Sequence, residues 1–197
     1  MTAQKNDKFV YHNVEYSIVG FNNDEPLDIA SLGIQPTPVS TGCWRGYVAE
    51  YAIANNSLVL DGLSVTIWAN DEQQIIGPEI NGISPTGPNT EFDFFTSHYR
   101  GLSYPLAYSG KLLLGNGFIR DLYDHMGFHA SYKYEHVVEL SFDNGLLINE
   151  TDRSEENAAL RQTIILADKR KLGSSDTIDD IESYVANSFS RSFTELD

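Results

Sequence analysis

Asp121, His125 and His129 stand four residues apart. On a helix that spacing would place all three on one face, where zinc or another divalent ion could bind them. Gly127 interrupts the second turn of such a helix, and the segment lacks the acidic base of a His-Glu-x-x-His arrangement. Without a helix the spacing has no meaning. The expectation is therefore no metal and no cofactor, with this trio as the weak candidate ligand set. Paired carboxylates such as Asp71-Glu72, Glu91 with Asp93, and Asp179-Asp180 could divide acid and base roles. In a chain with 28 acidic residues such pairs arise by chance. There is no phosphate-cradling glycine pattern and no Gly-x-Ser-x-Gly elbow. No catalytic residue is assigned, and a non-enzymatic role is the favoured expectation.

The densest segment is Ser40-Thr41-Gly42-Cys43-Trp44-Arg45-Gly46-Tyr47. A cysteine becomes a nucleophile when a histidine or a helix N-terminus lowers its pKa. Cys43 precedes a strand instead, so the simpler reading is a small buried thiol. Arg45, between Trp44 and Tyr47, could clamp a carboxylate or phosphate; the competing reading is a structural ion pair with one of the acids around it. His98 and Tyr99 lie in an aromatic run, 94–100, which could line a pocket or form a buried strand with a polar end. Trp44, Arg45, Tyr47, His98 and Tyr99 are thus the candidate ligand- or partner-binding residues. His136 falls on the apolar parity of its strand and reads as a hydrogen-bonded core histidine.

Thr41-Gly42-Cys43-Trp44-Arg45-Gly46-Tyr47 resembles a Thr-x-Cys-Trp-Arg-Gly-Tyr signature in a family of bacterial proteins with no established activity. The resemblance continues to Leu63 and returns at 108–112 and from His125 through Gly145. It implies a small, mostly β, cytosolic protein and brings no mechanism with it.

Charge narrows the classes of partner. The formal net charge is −15 and the pI about 4.5. From Phe9 to Tyr99 eleven acidic residues accompany one basic residue, Arg45. Such a surface repels nucleic acid and anionic membranes, which are bound through Lys and Arg, and attracts a basic protein. No apolar run reaches the ~18 residues of a membrane span, and 1–8 carry no apolar stretch of signal type. With a single cysteine, the expectation is a cytoplasmic protein.

These residues need elements to position them. Alternation predicts a hairpin over 9–19 turning at His12-Asn13, and a strand pair over 46–54 and 57–68 turning at Asn55-Asn56. The apolar phase changes at Asp61-Gly62, which predicts a bulge. A short helix from Pro26 to Gly33 capped by Asp24, a loop over 70–90, a strand over 106–114 and a turn at Gly115-Asn116-Gly117 follow. A hairpin turning at Asp143-Asn144-Gly145 joins strands at 132–142 and 146–149. Helices are expected at 154–172, capped by Asp152 or Ser154, and at 176–193, with a stripe of Ile178, Ile181, Val185, Ser188 or Phe189, and Ser192 or Phe193. The expected fold is α+β: a mostly antiparallel β-sheet (sandwich or open barrel) over 1–150, and a C-terminal extension of two helices over 151–197, packed on the sheet or at an interface.

Three readings of function remain. One is an acidic protein-binding module, such as an immunity or inhibitor protein for a basic partner. Another is a small-molecule binder or enzyme with a site around Arg45. The third is a structural subunit that forms a homo-oligomer through its C-terminal helices.

Overall fold

The computed structural model describes residues 2–38, 40–69, 73–171 and 187–193. Strands β1 (Lys8–Tyr11) and β2 (Val14–Phe21) form the first hairpin, and His12 and Asn13 turn it with φ of 49° and 63°. Two successive left-handed residues match the right-handed twist of the strands they join. The same device, Asn55 and Asn56 at 49° and 64°, joins β3 (Tyr47–Ala54) to β4 (Ser57–Val65). Opposite Glu50 stands Gly62 and opposite Tyr51 stands Leu60, which leaves Asp61 unpaired as the bulge. That extra residue lets Leu58, Leu60, Leu63 and Val65 all reach the core despite their opposite parities.

After Thr66 the chain departs from the expected single strand. The Thr66 hydroxyl donates to the Phe94 carbonyl at 2.5 Å, and a short hairpin of β5 (Ile67–Ala69) and β6 (Gln73–Ile75) begins within and beyond the expected strand. The strand expected over 106–114 starts later and runs further: 106–109 is a link from β7 (Ser97–Pro105), and the strand itself is β8 (Gly110–Phe118). Gly115, Asn116 and Gly117 lie inside β8 rather than in a turn. Gly115 serves packing: a Cβ there would stand 2.7 Å from the Tyr134 ring and 2.9 Å from Val19. Strands β9 (Tyr134–Asp143) and β10 (Leu146–Asp152) close the series around Asn144 and Gly145.

Among the described residues eight strands form one sheet in the order β10-β9-β8-β2-β1-β3-β4-β7. Neighbours run antiparallel except β1 and β3, which are parallel. The sheet curls until Leu146 pairs with Ser57, but this single pair does not close a barrel. Its inner face carries the main core, including Phe9, Ile18, Tyr51, Leu60, Tyr99, Leu112 and Leu140. The outer face of β2, β8 and β9 carries a smaller cluster of Val19, Leu113, Tyr134 and Val137, with Phe118 and Phe193 against it. His136 is exposed, contrary to expectation. It pairs with Asn116 near the end of the sheet, while Leu140 and Phe142 further along β9 enter the core.

Helix α1 (Ser154–Lys171) starts where Asp152 accepts the Ser154 N–H at 2.8 Å. Asn157, fully buried, donates to the carbonyls of Ser131 and Tyr134, and Arg161 donates to those of Tyr132 and Tyr134. These bonds attach the start of α1 to the entry of β9. Most of the helix expected over 176–193 lies outside the described residues. Residues 187–189 are helical, but 190–193 run extended beside β2, where Ser192 pairs with Phe21. Backbone bonds Phe21 N–H to Arg191 O and Phe193 N–H to Phe21 O take the place of a helical ladder. The short helix expected from Pro26 is a 3-10 turn over Ile29–Leu32. Its cap is Asp28 rather than Asp24, and Gly33 ends it at φ 70°. The architecture is α+β, a mostly antiparallel sheet followed by helix. Among the described residues no helix is long and apolar enough to cross a membrane.

Candidate functional site

Arg45 leaves the turn before β3 and turns inward. Its guanidinium donates to both Asp7 carboxylate oxygens, at 2.9 and 2.8 Å, and to Glu25 Oε1 at 2.5 Å. Arg191 arrives from the C-terminal segment, donating to Asp7 Oδ2 at 2.8 Å and to Glu25 Oε1. Asp7 Oδ1 also accepts the Ala49 N–H at 2.8 Å. Two cations thus meet two carboxylates in a site where the Asp7 side chain is 1% exposed. Burial pushes the Asp7 carboxyl up, but Arg45, Arg191 and the Ala49 N–H outweigh it and hold it below the ordinary carboxylate range. Burial opposes the Arg45 charge as well, and Asp7 and Glu25 overcome that and keep it firmly protonated.

Aromatic rings sandwich the cluster. Arg45 lies 4.5 Å from the Tyr47 ring centroid, and Arg191 lies 4.7 Å from Phe128 and 5.1 Å from Phe21. The Tyr47 hydroxyl donates to Glu25, and burial together with that carboxylate pushes its pKa up to about 12. Trp44, half exposed, stacks on Phe189 at 4.8 Å with a 10° interplanar angle. Arg45 is therefore committed to internal partners. Cys43 is buried beside it with its thiol toward the Tyr47 carbonyl, and burial raises its pKa.

His98 and Tyr99 are consecutive on β7, so they leave opposite faces of the sheet. Tyr99 enters the core, donates its hydroxyl to the Pro78 carbonyl at 2.6 Å, and has its pKa raised by burial to about 12. His98 leaves on the outer face. Its Nε2 meets Asp93 Oδ2 at 2.8 Å and its Nδ1 meets Ser64 Oγ at 2.9 Å. Ser64 is the cross-strand partner of His98 on β4. Asp93 is itself held by the N–H groups of Asn89 and Phe95, each at 3.0 Å. Burial pushes the Asp93 carboxyl up, but those N–H groups and His98 bring it below its ordinary range. These three side chains border an outer-face cleft of about 570 Å³, with Lys5, Lys8, Glu50 and Arg100 among its other walls. The structure brings Trp44, Arg45 and Tyr47 into one cluster; it places His98 in a separate cleft and Tyr99 beneath the sheet.

The Asp121-to-His129 segment is a 3-10 turn over Arg120–Leu122 followed by loop. His125 is exposed and His129 is buried against Phe118 and Tyr123, so no helical face gathers the trio. Among the described residues no three His, Cys, Asp or Glu side chains are grouped to hold a metal. A second cleft, about 430 Å³, is walled by Asn23, Asp24, Glu25, Pro26, Asp28, Ala107, Tyr108 and Ser109. Three of those residues are acidic and none is basic.

Sequence reading missed Asp7, Glu25 and Arg191 as the partners of Arg45, and Ser64 as the partner of His98. The rarity of cations before residue 100 signals that Arg45 is committed to acids, but nothing local says which acids. Compared with known families, curated proteins and solved structures, the chain matches none.

Proposed function

We propose that this protein is an acidic binding module that docks a basic protein, in the manner of an immunity or inhibitor protein that covers a cationic surface. The observation that carries this reading is the distribution of unpaired charge. Lys8, Arg45, Lys111, Lys133, Arg153 and Arg191 lie in ion pairs within the chain, and among the described residues only Lys5, Arg100 and Arg120 are exposed cations at no carboxylate. Among the described residues, the exposed carboxylates of Asp24, Asp28, Glu79, Glu91, Asp143 and Glu155 meet no cation at ion-pair distance. The acidic excess of the chain is thus turned outward, where it speeds encounter with a basic surface. The cleft beside Asp24 and Asp28 has the size and charge to receive a lysine or arginine side chain.

The test is affinity capture on the immobilised protein at low salt, with a salt gradient into mass spectrometry, repeated with Asp24→Lys/Asp28→Lys. A basic protein that elutes at moderate salt from the wild type and fails to bind the reversed-charge variant supports the reading. A captured protein that is indifferent to both salt and charge reversal, or no captured protein, overturns it.

A further inference from the structure

The outer-face cleft holds an arrangement that the docking reading leaves unused. Ser64 and His98 are directly opposed on antiparallel β4 and β7, and their side chains leave the same face at 2.9 Å. The far nitrogen of the imidazole meets Asp93 at 2.8 Å, and Asp93 is fixed by two backbone N–H groups. Ser64 is half-buried while His98 is 8% exposed, so the hydroxyl is the accessible end of the chain of hydrogen bonds. A hydroxyl, an imidazole and an oriented carboxylate in hydrogen-bond sequence are the components of an activated nucleophile. In the serine-hydrolase triad the carboxylate holds Nδ1 and the hydroxyl meets Nε2. Here the two nitrogens exchange roles, which imidazole allows because either one is the base when the other carries the proton.

We propose that Ser64, His98 and Asp93 form a nucleophilic site that hydrolyses small carboxylic esters in this cleft. The Ser64 oxygen attacks the ester carbonyl carbon as its proton passes to His98 Nδ1, and Asp93 holds the Nε2 proton and stabilises the imidazolium. The tetrahedral intermediate collapses, the carbon–oxygen bond to the alcohol breaks, and the alcohol leaves with the proton from His98. Water then attacks the acyl-Ser64, gives its proton to His98, and releases the carboxylic acid as Ser64 recovers its proton. No electrons change hands. Lys5 and Arg100 on the walls are the nearby cations not ion-paired among the described residues, since Lys8 is paired with Glu15 at 3.1 Å, and Glu50 lies on the same walls.

The test uses the full chain with two probes, p-nitrophenyl butyrate for turnover and a fluorophosphonate for covalent labelling. The expected result is saturable hydrolysis together with a phosphonyl adduct mapped to Ser64 by peptide mass spectrometry. Ser64→Ala and His98→Gln should each lower kcat/KM by about 10²–10⁴-fold, with thermal melts showing that the variants fold. Asp93 acts through His98 as a positioning residue, so Asp93→Asn should lower kcat and leave KM in place. No adduct on wild-type Ser64, an adduct on another residue, or undiminished turnover by a folded Ser64→Ala protein would each overturn the proposal. The wild-type labelling decides the matter even if a variant fails to fold.

Discussion

Arg191 Nη1 donates to Asp7 Oδ2 at 2.8 Å across 184 residues of sequence, joining the two ends of the described chain in the interior of the protein. Arg45 completes the same carboxylate from the other side. Asp7 thereby connects the start of β1, the turn before β3 and the C-terminal segment beside β2.

Removing that carboxylate should be costly. Asp7→Asn leaves two buried guanidinium groups with Glu25 as their only anion among the described residues, and breaking a buried ion pair from one side costs roughly 3–5 kcal/mol. Urea denaturation at pH 7 should show the loss as a lower midpoint at unchanged slope. A variant within 0.5 kcal/mol of wild type, about the size of an ordinary surface substitution, would mean that the network contributes no net stability.

The same carboxylate gives stability a pH dependence of known sign. Asp7 is depressed in the folded state, so its contribution is complete above the unfolded carboxylate pKa, about 4. The contribution fades as pH falls through the lower folded value. The stability gap between wild type and Asp7→Asn should therefore be constant from pH 7 to about 5 and shrink below about 4. Denaturation curves for both proteins across that range provide the measurement, and a gap unchanged in acid would contradict the assignment.

Gly127 should control how the C-terminal segment seats. It has φ 69°, and a Cβ there would collide with the Ser188 carbonyl oxygen, which accepts the Phe128 N–H at 2.7 Å. Gly127→Ala combines left-handed strain with a backbone clash, so residues 187–193 must shift. Trp44 reports the shift, because Phe189 covers one face of its indole. The variant should show a red-shifted tryptophan emission and lose at least about 1 kcal/mol, and a Phe189→Ala variant should reproduce the spectral change. An unchanged spectrum in both would remove the stack as a feature of the protein in solution.

Cys43 should be inert in the folded protein. It is 5% exposed and burial raises its thiol pKa, which lowers both access and thiolate fraction. Iodoacetamide at pH 8 should modify it only after denaturation, with a native rate at least ~100-fold slower, in line with opening free energies of a few kcal/mol. Prompt alkylation of the native protein would show the Ser40-to-Tyr47 turn opening readily.

Local preferences determined much of this fold from sequence alone. His12-Asn13, Asn55-Asn56 and Asn144-Gly145 announce their hairpins because few residues tolerate the left-handed backbone those turns require. The phase change at Asp61-Gly62 announces its bulge because strand periodicity is a local property, and Asp152 marks the start of α1 because a capping side chain acts within two residues. Net charge and the rarity of cations before residue 100 are likewise properties of composition, and they point to Arg45 as an arginine in need of acids. Tertiary structure decided the rest. Whether Gly115 and Gly117 turn or continue a strand depends on β9 lying alongside. Which acids receive Arg45 depends on the parallel pairing of β1 with β3 and on a C-terminal segment that lies extended against β2. The meeting of His98 with Ser64 follows from the register between β4 and β7. Register is set by packing between segments far apart in the chain, and no local preference of the residues themselves encodes it.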